Sequence, residues 1–468
     1  MAKQNHNPNV LESEHVGRLL FKLATPAFFG MFVQTLYNVI NTIFMGYFVS
    51  PNAIGGLSIV FPLQMFAWGI GMMVGMGGGS LISRCIGSGH TEDAERTIGN
   101  GISLGFIISI AFMIIVLPFS NFWLRLIGAD DTILPYASTY LIVIIAATPI
   151  NTLATSLLNF SRAEGNARVG MIAMILGALL SIILDAIFII PLQMGAFGAA
   201  LATVISQAAS LAYLLSYYLT RSSYLKIVLR NLRFKWQILK EMMSIGISSF
   251  VQTIASSISA MILLRMVVNY GGDSALNAFG IIQRVMMFAT MPAMVLGQAV
   301  QPILGYNYGA KRYHLALKAI NIAVIVSTSL SILAFAALYL IPEPIMRIFT
   351  NDLPTIEAGI NASRLVFLSM PFMGAMMVGQ TIFQAIGKAM QAFILALGRP
   401  ILFLIPTVLL FSRVWQLNGV FLSFPAADIL TLILAVALVV PIIRQFRKGY
   451  ITEKPGEINT AAIKQKRE

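Results

Sequence analysis

One carboxylate, Asp185, stands inside an apolar run from Leu176 to Gln207, with no charged neighbour for many residues on either side. An ionisable group at membrane depth is costly by a few kcal/mol on insertion scales, and such groups mark ion pathways. The chemistry open to it is reversible: it can take up a proton or hold a cation. The alternative is a carboxylate that only hydrogen-bonds a neighbouring helix. A second set lies on the first apolar segment, where Gln34, Tyr37, Asn38 and Asn41 recur at i, i+3, i+4 and i+7 and so form one stripe of a helix. That stripe either faces an interior cavity or bonds adjacent helices at about 0.6 kcal/mol per contact. Further along, Asp428 is the only other acid well inside an apolar segment, and Arg399 falls at a matching depth. A buried ion pair is the first reading of these two, a direct substrate contact the second. Gln252, Gln283, Gln380 and Gln384, with Gln34 and Gln207, supply neutral hydrogen-bonding groups for a cavity.

Other chemistries lack their residues. Cys85 is alone, so neither an intramolecular disulfide nor a thiolate metal site can form. His6, His15, His90 and His314 fall in the tail or in loops. The glycines from Gly69 to Gly79 follow no strand and precede no Gly-Lys-Ser/Thr, so they serve close helix packing rather than phosphate binding. No catalytic constellation, cofactor or dedicated metal site is expected, and the chain is not read as an enzyme.

The elements that position these residues follow from composition. Of 468 residues, 57% are hydrophobic and only 10% charged, against about 25% charged in a soluble protein. The chain is therefore a polytopic membrane protein. Its formal charge of +13 does not signal nucleic acid, because the basic residues sit in short loops and the tail, where they set topology. Twelve apolar segments are long enough to span: about 19–48, 53–82, 97–118, 134–158, 168–190, 195–219, 241–270, 274–302, 315–341, 357–385, 390–412 and 417–445. Lys and Arg crowd one side, while the other carries only Arg125, Arg347 and Arg413. That asymmetry places both termini in the cytoplasm. Asn41 and Asp185 both lie roughly 8–10 Å from the outer ends of their helices and so could meet. Pro26 removes a backbone hydrogen bond and offers the first helix a place to bend.

The chain repeats itself. Phe32-Val-Gln-Thr35 recurs as Phe250-Val-Gln-Thr253, Pro149 pairs with Pro371, Gly165 with Gly387 and Gly198 with Gly419, at offsets of 218, 222, 222 and 221. Chance would scatter these offsets. Six spans per half is an even number, so the halves are parallel repeats, as in transporters that rock one half against the other. The expected fold is all-α and integral to the membrane, with twelve transmembrane helices in two parallel six-helix pseudo-symmetric bundles. A cytoplasmic tail (1–18) precedes the first lobe (19–220). A basic linker (221–240) leads to the second lobe (241–445) and a tail (446–468).

With these features in place, the chain resembles the multidrug and toxic compound extrusion (MATE) family over nearly its whole length. Pro26 through Gln34-Thr-Leu-Tyr37-Asn38 to Asn41 and Gly46 follows the family's first helix. Leu184-Asp185 through Gly198-Ala-Ala and Ala202-Thr-Val-Ile-Ser-Gln207 is its most specific run. Gly305-Tyr-Asn-Tyr-Gly309, Arg399 through Pro406 and Asn418-Gly through Asp428 resemble the bacterial branch. The resemblance implies efflux of small amphiphilic, often cationic compounds by alternating access, driven by inward H⁺ or Na⁺, from a monomer in the cell membrane. It also implies cation binding by Asp185 with Tyr37, Asn38, Asn41 and Ser181. Where the family usually has an acid in the first helix this chain has Asn41, and where it often has Asn before the aspartate it has Ser181. With one carboxylate left, H⁺ is favoured over Na⁺. The alternative function is a flippase for a lipid-linked or polar precursor.

Overall fold

The computed structural model describes residues 10–49, 51–220, 223–350 and 352–452, with the backbone alone at 42, 43, 45, 46, 51–54, 229 and 450–452. Residues 1–9 and 453–468 of the expected tails, and Arg221 and Ser222 of the expected linker, lie outside the described residues.

Every segment expected to span is helical, as it must be where lipid offers the backbone no partner. Helices α1 (Val16–Phe44), α2 (Pro51–Gly87) and α3 (Thr91–Val116) come first. After the short α4 (Ser120–Ile127), α5 (Leu134–Ala146) and α6 (Thr148–Ala163) meet at 53° and make one bent span. Helices α7 (Ala167–Ile189) and α8 (Gly195–Leu219) complete the first half. The second half opens on α9 (Trp236–Gly309), whose 74 residues would measure about 110 Å as a straight rod, several times the ~30 Å hydrocarbon core. At Gly272 the backbone turns to φ 64°, ψ −160°, and α9 becomes two spans. Then come α10 (Tyr313–Leu340), the short α11 (Pro342–Phe349), and α12 (Leu353–Phe367) with α13 (Met370–Ile386), bent by 46°. Last, α14 (Ala389–Leu397) runs through a π-helical turn, Gly398–Leu404, into α15 (Ile405–Thr452). Gln416, at φ 51°, ψ −129°, divides α15 in two. Twelve spans result among the described residues, six in each half.

The halves repeat in detail. Each bent span restarts on a proline in the first helical turn, Pro149 in α6 and Pro371 in α13, where the missing N–H is no loss. Each is preceded by a short helix, α4 or α11. Ile114, Ile183, Ile325, Leu333 and Leu410 point outward and are exposed, as side chains facing lipid are.

The halves meet most closely at the end that carries the basic loops. A Cβ on Gly77 would lie 2.2 Å from the Met242 carbonyl oxygen, and one on Gly246 would lie 2.1 Å from that of Met73. Thus α2 and the first limb of α9 cross with their backbones in contact, which only glycine permits on both sides. Farther along α2, Gly87 sits 2.0 Å, by the same measure, from the Tyr306 oxygen, and Gly309 sits 2.2 Å from that of Arg84. Arg84 also pairs with Glu241 across the halves at 2.6 Å. The ring pairs Phe66–Phe250 (5.7 Å) and Phe32–Phe288 (6.2 Å) continue the seam toward the midplane.

Overpacking a fitted interface costs about 1–3 kcal/mol. Gly246→Ala should therefore lower the thermal unfolding midpoint in detergent. Gly280→Ala, with nothing within 4 Å of the new methyl, should leave it unchanged or slightly higher. Equal midpoints for the two variants would contradict the seam.

Candidate functional site

Three helices build the acid cluster, and small residues let them approach. Helix α1 packs on α7, and α7 on α8. At Gly30 a Cβ would already lie 3.2 Å from the Met171 backbone, and at Gly177 2.4 Å from the Ser210 hydroxyl. At their junction Asp185 is fully buried, and neither carboxylate oxygen has a hydrogen-bond partner. One turn earlier the buried Ser181 hydroxyl is also unpartnered. From α1, Tyr37 and Asn41 are buried against them. The Tyr37 hydroxyl shares a 2.9 Å hydrogen bond with Thr203 of α8, and Asn41 Nδ2 donates to Tyr37 at 3.4 Å, leaving Asn41 Oδ1 free. Tyr37 lies against Ser181 and within electrostatic reach of Asp185, and Tyr140 of α5 closes the cluster with Gln64 of α2 beside it.

The unpartnered atoms are oxygens: both of Asp185, Ser181 Oγ and Asn41 Oδ1. A buried charge without a partner is strongly unfavourable. Either a proton on Asp185 or a hard cation, which prefers oxygen ligands, relieves it. Among the described residues no group of three or more His, Cys, Asp or Glu could hold a metal ion.

Other expected site residues separate from the cluster. Asn38 is exposed and its amide donates to the Gln34 carbonyl at 3.0 Å, on its own helix. Tyr37 and Asn38 are about 100° apart on a helix, so only the Tyr37–Asn41 edge of the stripe turns toward α7. Gln34 and Gln207 are half-buried. Thr203, Tyr140 and Gln64 belong to the cluster without having been singled out. Thr203 carried a signal, as a polar residue one turn before Gln207 in an apolar helix. Tyr140 and Gln64 carried none.

The second half is built differently. Gln252 and Gln380 exchange two amide hydrogen bonds, at 3.0 and 2.6 Å, and Gln384 donates to Ser249 at 3.2 Å. Gln283 is exposed. Arg399 and Asp428 form the buried pair, Nε to Oδ1 at 2.5 Å and Nη2 to Oδ2 at 3.4 Å. The π-helical turn presents Arg399, and Ser259 donates to the Pro400 carbonyl within that turn at 2.6 Å. At the repeat offsets, Tyr37, Asn41 and Asp185 correspond to Ala255, Ser259 and Thr407. The acid cluster is therefore not duplicated. Gln207 in turn stands where the second half has Asp428.

A further buried carboxyl lies between the spans. Glu164 caps α6, its Oε2 accepts from Ser223 at 2.6 Å, and its Oε1 is buried without a partner. Burial pushes the carboxyl up to about 7, against the pull of the hydrogen bond from Ser223.

Comparison with known proteins places the chain. The MatE family model matches residues 26–187 and again 248–409, two copies 222 residues apart. The multidrug export protein MepA of Staphylococcus aureus is 27% identical over 433 residues, covering 92% of this chain and 94% of that protein. Among solved structures, a MATE protein in complex with MaL6 aligns with a TM-score of 0.90 at 24% identity, over 94% of this chain and 99% of the other. A MATE family transporter described as in an outward-facing conformation aligns at 0.89 and 24% identity, over 94% and 98%.

Two expectations follow from the paired and unpaired acids. Asp428→Ala strands Arg399 in the interior, and breaking a buried pair costs about 3–5 kcal/mol. Unfolding should show that loss, and the double variant Asp428→Leu, Arg399→Met should recover most of it. For Glu164 the folded state holds its proton above the ordinary value of 4.5, so the stability linked to it is present at low pH and is lost as pH rises through about 7. Glu164→Gln should raise the melting temperature more at alkaline than at acid pH. A difference that does not vary with pH would show that the carboxyl stays ionised throughout.

Proposed function

The chain belongs to the MATE family, and on that premise we propose that it is a secondary multidrug efflux transporter, exporting amphiphilic, often cationic organic compounds in exchange for inward H⁺. The observation that carries this reading is the Asp185 carboxylate, fully buried with both oxygens unpartnered beside Tyr37, Asn41 and Ser181. The relative named as a multidrug export protein supports the substrate class.

The excess of Lys and Arg in the loops at the closed end supports a cytoplasmic position for that end and for both termini. The halves then seal the inner face of the cell membrane, and a proton enters from outside. Protonation turns Asp185 from an acceptor-only group into one that also donates. Asn41 Oδ1 and Ser181 Oγ are buried acceptors of the same cluster, both without partners. With the charge gone, α1 closes more tightly on α7, bending near Pro26, where a backbone hydrogen bond is missing, and substrate is displaced outward. One proton moving down 100 mV yields about 2.3 kcal/mol, enough to concentrate a solute roughly fiftyfold.

H⁺ and Na⁺ gradients imposed separately across everted vesicles, with a fluorescent cationic dye as cargo, test the reading. The H⁺ gradient alone should drive wild-type transport. Asp185→Asn, neutral at every pH, should lose it by about tenfold or more, the equivalent of about 1.4 kcal/mol. Wild-type H⁺-driven transport by Asp185→Asn would refute the proposal. Transport by the native protein on a Na⁺ gradient alone would replace the proton with sodium.

A further inference from the structure

The chain enters α1 along a path that touches both halves. Ahead of the helix, which starts at Val16, Leu11 is only 1% exposed. Its Cγ lies 3.2 Å from where a Cβ on Gly165 would stand, so it covers the first half's turn between α6 and α7. The next residue, Glu12, pairs with Arg312 in the turn between α9 and α10 of the second half. Lys318 of α10 donates its Nζ to the Glu14 carbonyl at 3.4 Å, and a Cβ on Gly17 would meet Ile322 of α10 at 3.6 Å. Leu11 shares one buried cluster with Ala167 of α7 and with Leu304, Leu315 and Ala316 of α9 and α10.

The internal repeat shows what this segment replaces. At the repeat offset of 222, Gly165 corresponds to Gly387, and both take a positive φ, 89° and 80°. Over Gly387 lies the guanidinium of Arg84, from the first half, with Nη1 2.7 Å from a Cβ placed there. The second half's turn is thus held directly by a side chain from across the seam. The position equivalent to Arg84 is Tyr306, and the first half's turn is covered by Leu11 instead. Leu11 and Glu12 are neighbours, with Cα atoms about 3.8 Å apart, yet one is seated on the first half and the other is fastened to the second. A segment that short cannot follow both halves when they part at this end.

We propose that Leu11 to Glu14 form a strap that holds the end carrying the basic loops shut, with Leu11 seated over Gly165 and Glu12 fastened to Arg312. That end opens only when the strap lets go of one half. The assignment rests on the alternating opening of the export reading and adds to it the part that fastens one state. The glycine contacts and the Arg84–Glu241 pair close the seam between α2 and α9. The strap closes the halves at the entrance to α1, the helix that also carries Tyr37 and Asn41.

Spin labels at Arg168→Cys and Met390→Cys, exposed positions at the starts of α7 and α14, report the separation of the halves at this end. The parent is the full-length protein with Cys85→Ser, and distances are read by electron paramagnetic resonance. The parent should show mainly a short distance. Glu12→Arg and Arg312→Glu, each alone, should raise the ratio of long to short distances by about fivefold, the scale that loss of a partly buried ion pair allows. The double variant restores the pair with its charges exchanged and should return the ratio to the parent's. Leu11→Ala, which leaves the ion pair in place, should raise the ratio as well. Unchanged distances in the single variants or in Leu11→Ala would overturn the strap, as would a double variant no more closed than the singles. So would a parent whose halves already stand apart at this end. Dye efflux in everted vesicles separates the two readings. Efflux by wild type without any response of the distances refutes the strap and leaves export standing. The expected distances without wild-type efflux on any gradient support the strap and refute export.

Discussion

A carboxylate removed from water with nothing to share its charge is the constraint around which this protein is arranged. Both Asp185 oxygens are buried and unpartnered, and the group cannot stay ionised and alone at low cost. The surrounding helices therefore gain a switchable element. In the proposed cycle a proton or cation would satisfy the cluster, whereas the bare carboxylate would draw in water or the donors of its neighbours. Tyr37, held by Thr203, links α1 and α8 to the state of α7.

That local choice can act on the whole molecule because of how the halves meet. The seam between α2 and α9 is made of backbone against backbone, with Gly77 over Met242 and Gly246 over Met73. Such a contact is either closed or open, since nothing soft lies between to yield by degrees. The breaks at Gly272 and Gln416 and the two proline-restarted spans divide each half into stiff segments. In the proposed cycle, a change in how α1 sits on α7 would be carried as a movement of rods rather than absorbed by side chains.

The repeat preserves geometry and not chemistry. The second half keeps the bent span and the short helix before it, but Ala255, Ser259 and Thr407 stand where the first half has Tyr37, Asn41 and Asp185. Its one deep acid, Asp428, is satisfied by Arg399. Removing either charge of that pair strands the other. One half therefore carries an unpartnered acid while the other holds an ion pair, and Gln207 stands at the position equivalent to Asp428.

The number of spans, their parallel repeat and the isolation of Asp185 were legible in the sequence, because lipid enforces long apolar helices and leaves a lone acid conspicuous. Pairing of Arg399 with Asp428 was foreseeable from matching depths alone. Depth and period could not settle direction. Gln34, Tyr37, Asn38 and Asn41 form one stripe in sequence, yet only Tyr37 and Asn41 turn into the cluster, because the rotation of a helix is set by what packs against it. Tyr140, with Gln64 beside it, joins the cluster at Thr203 from helices whose own patterns mark neither residue, and Arg162 meets Gln298 across the seam between the halves. The sequence by itself determined which groups must be buried in lipid; tertiary structure alone decided which of them share a site, since contacts between distant helices depend on crossing angles and glycine approaches that no linear spacing encodes.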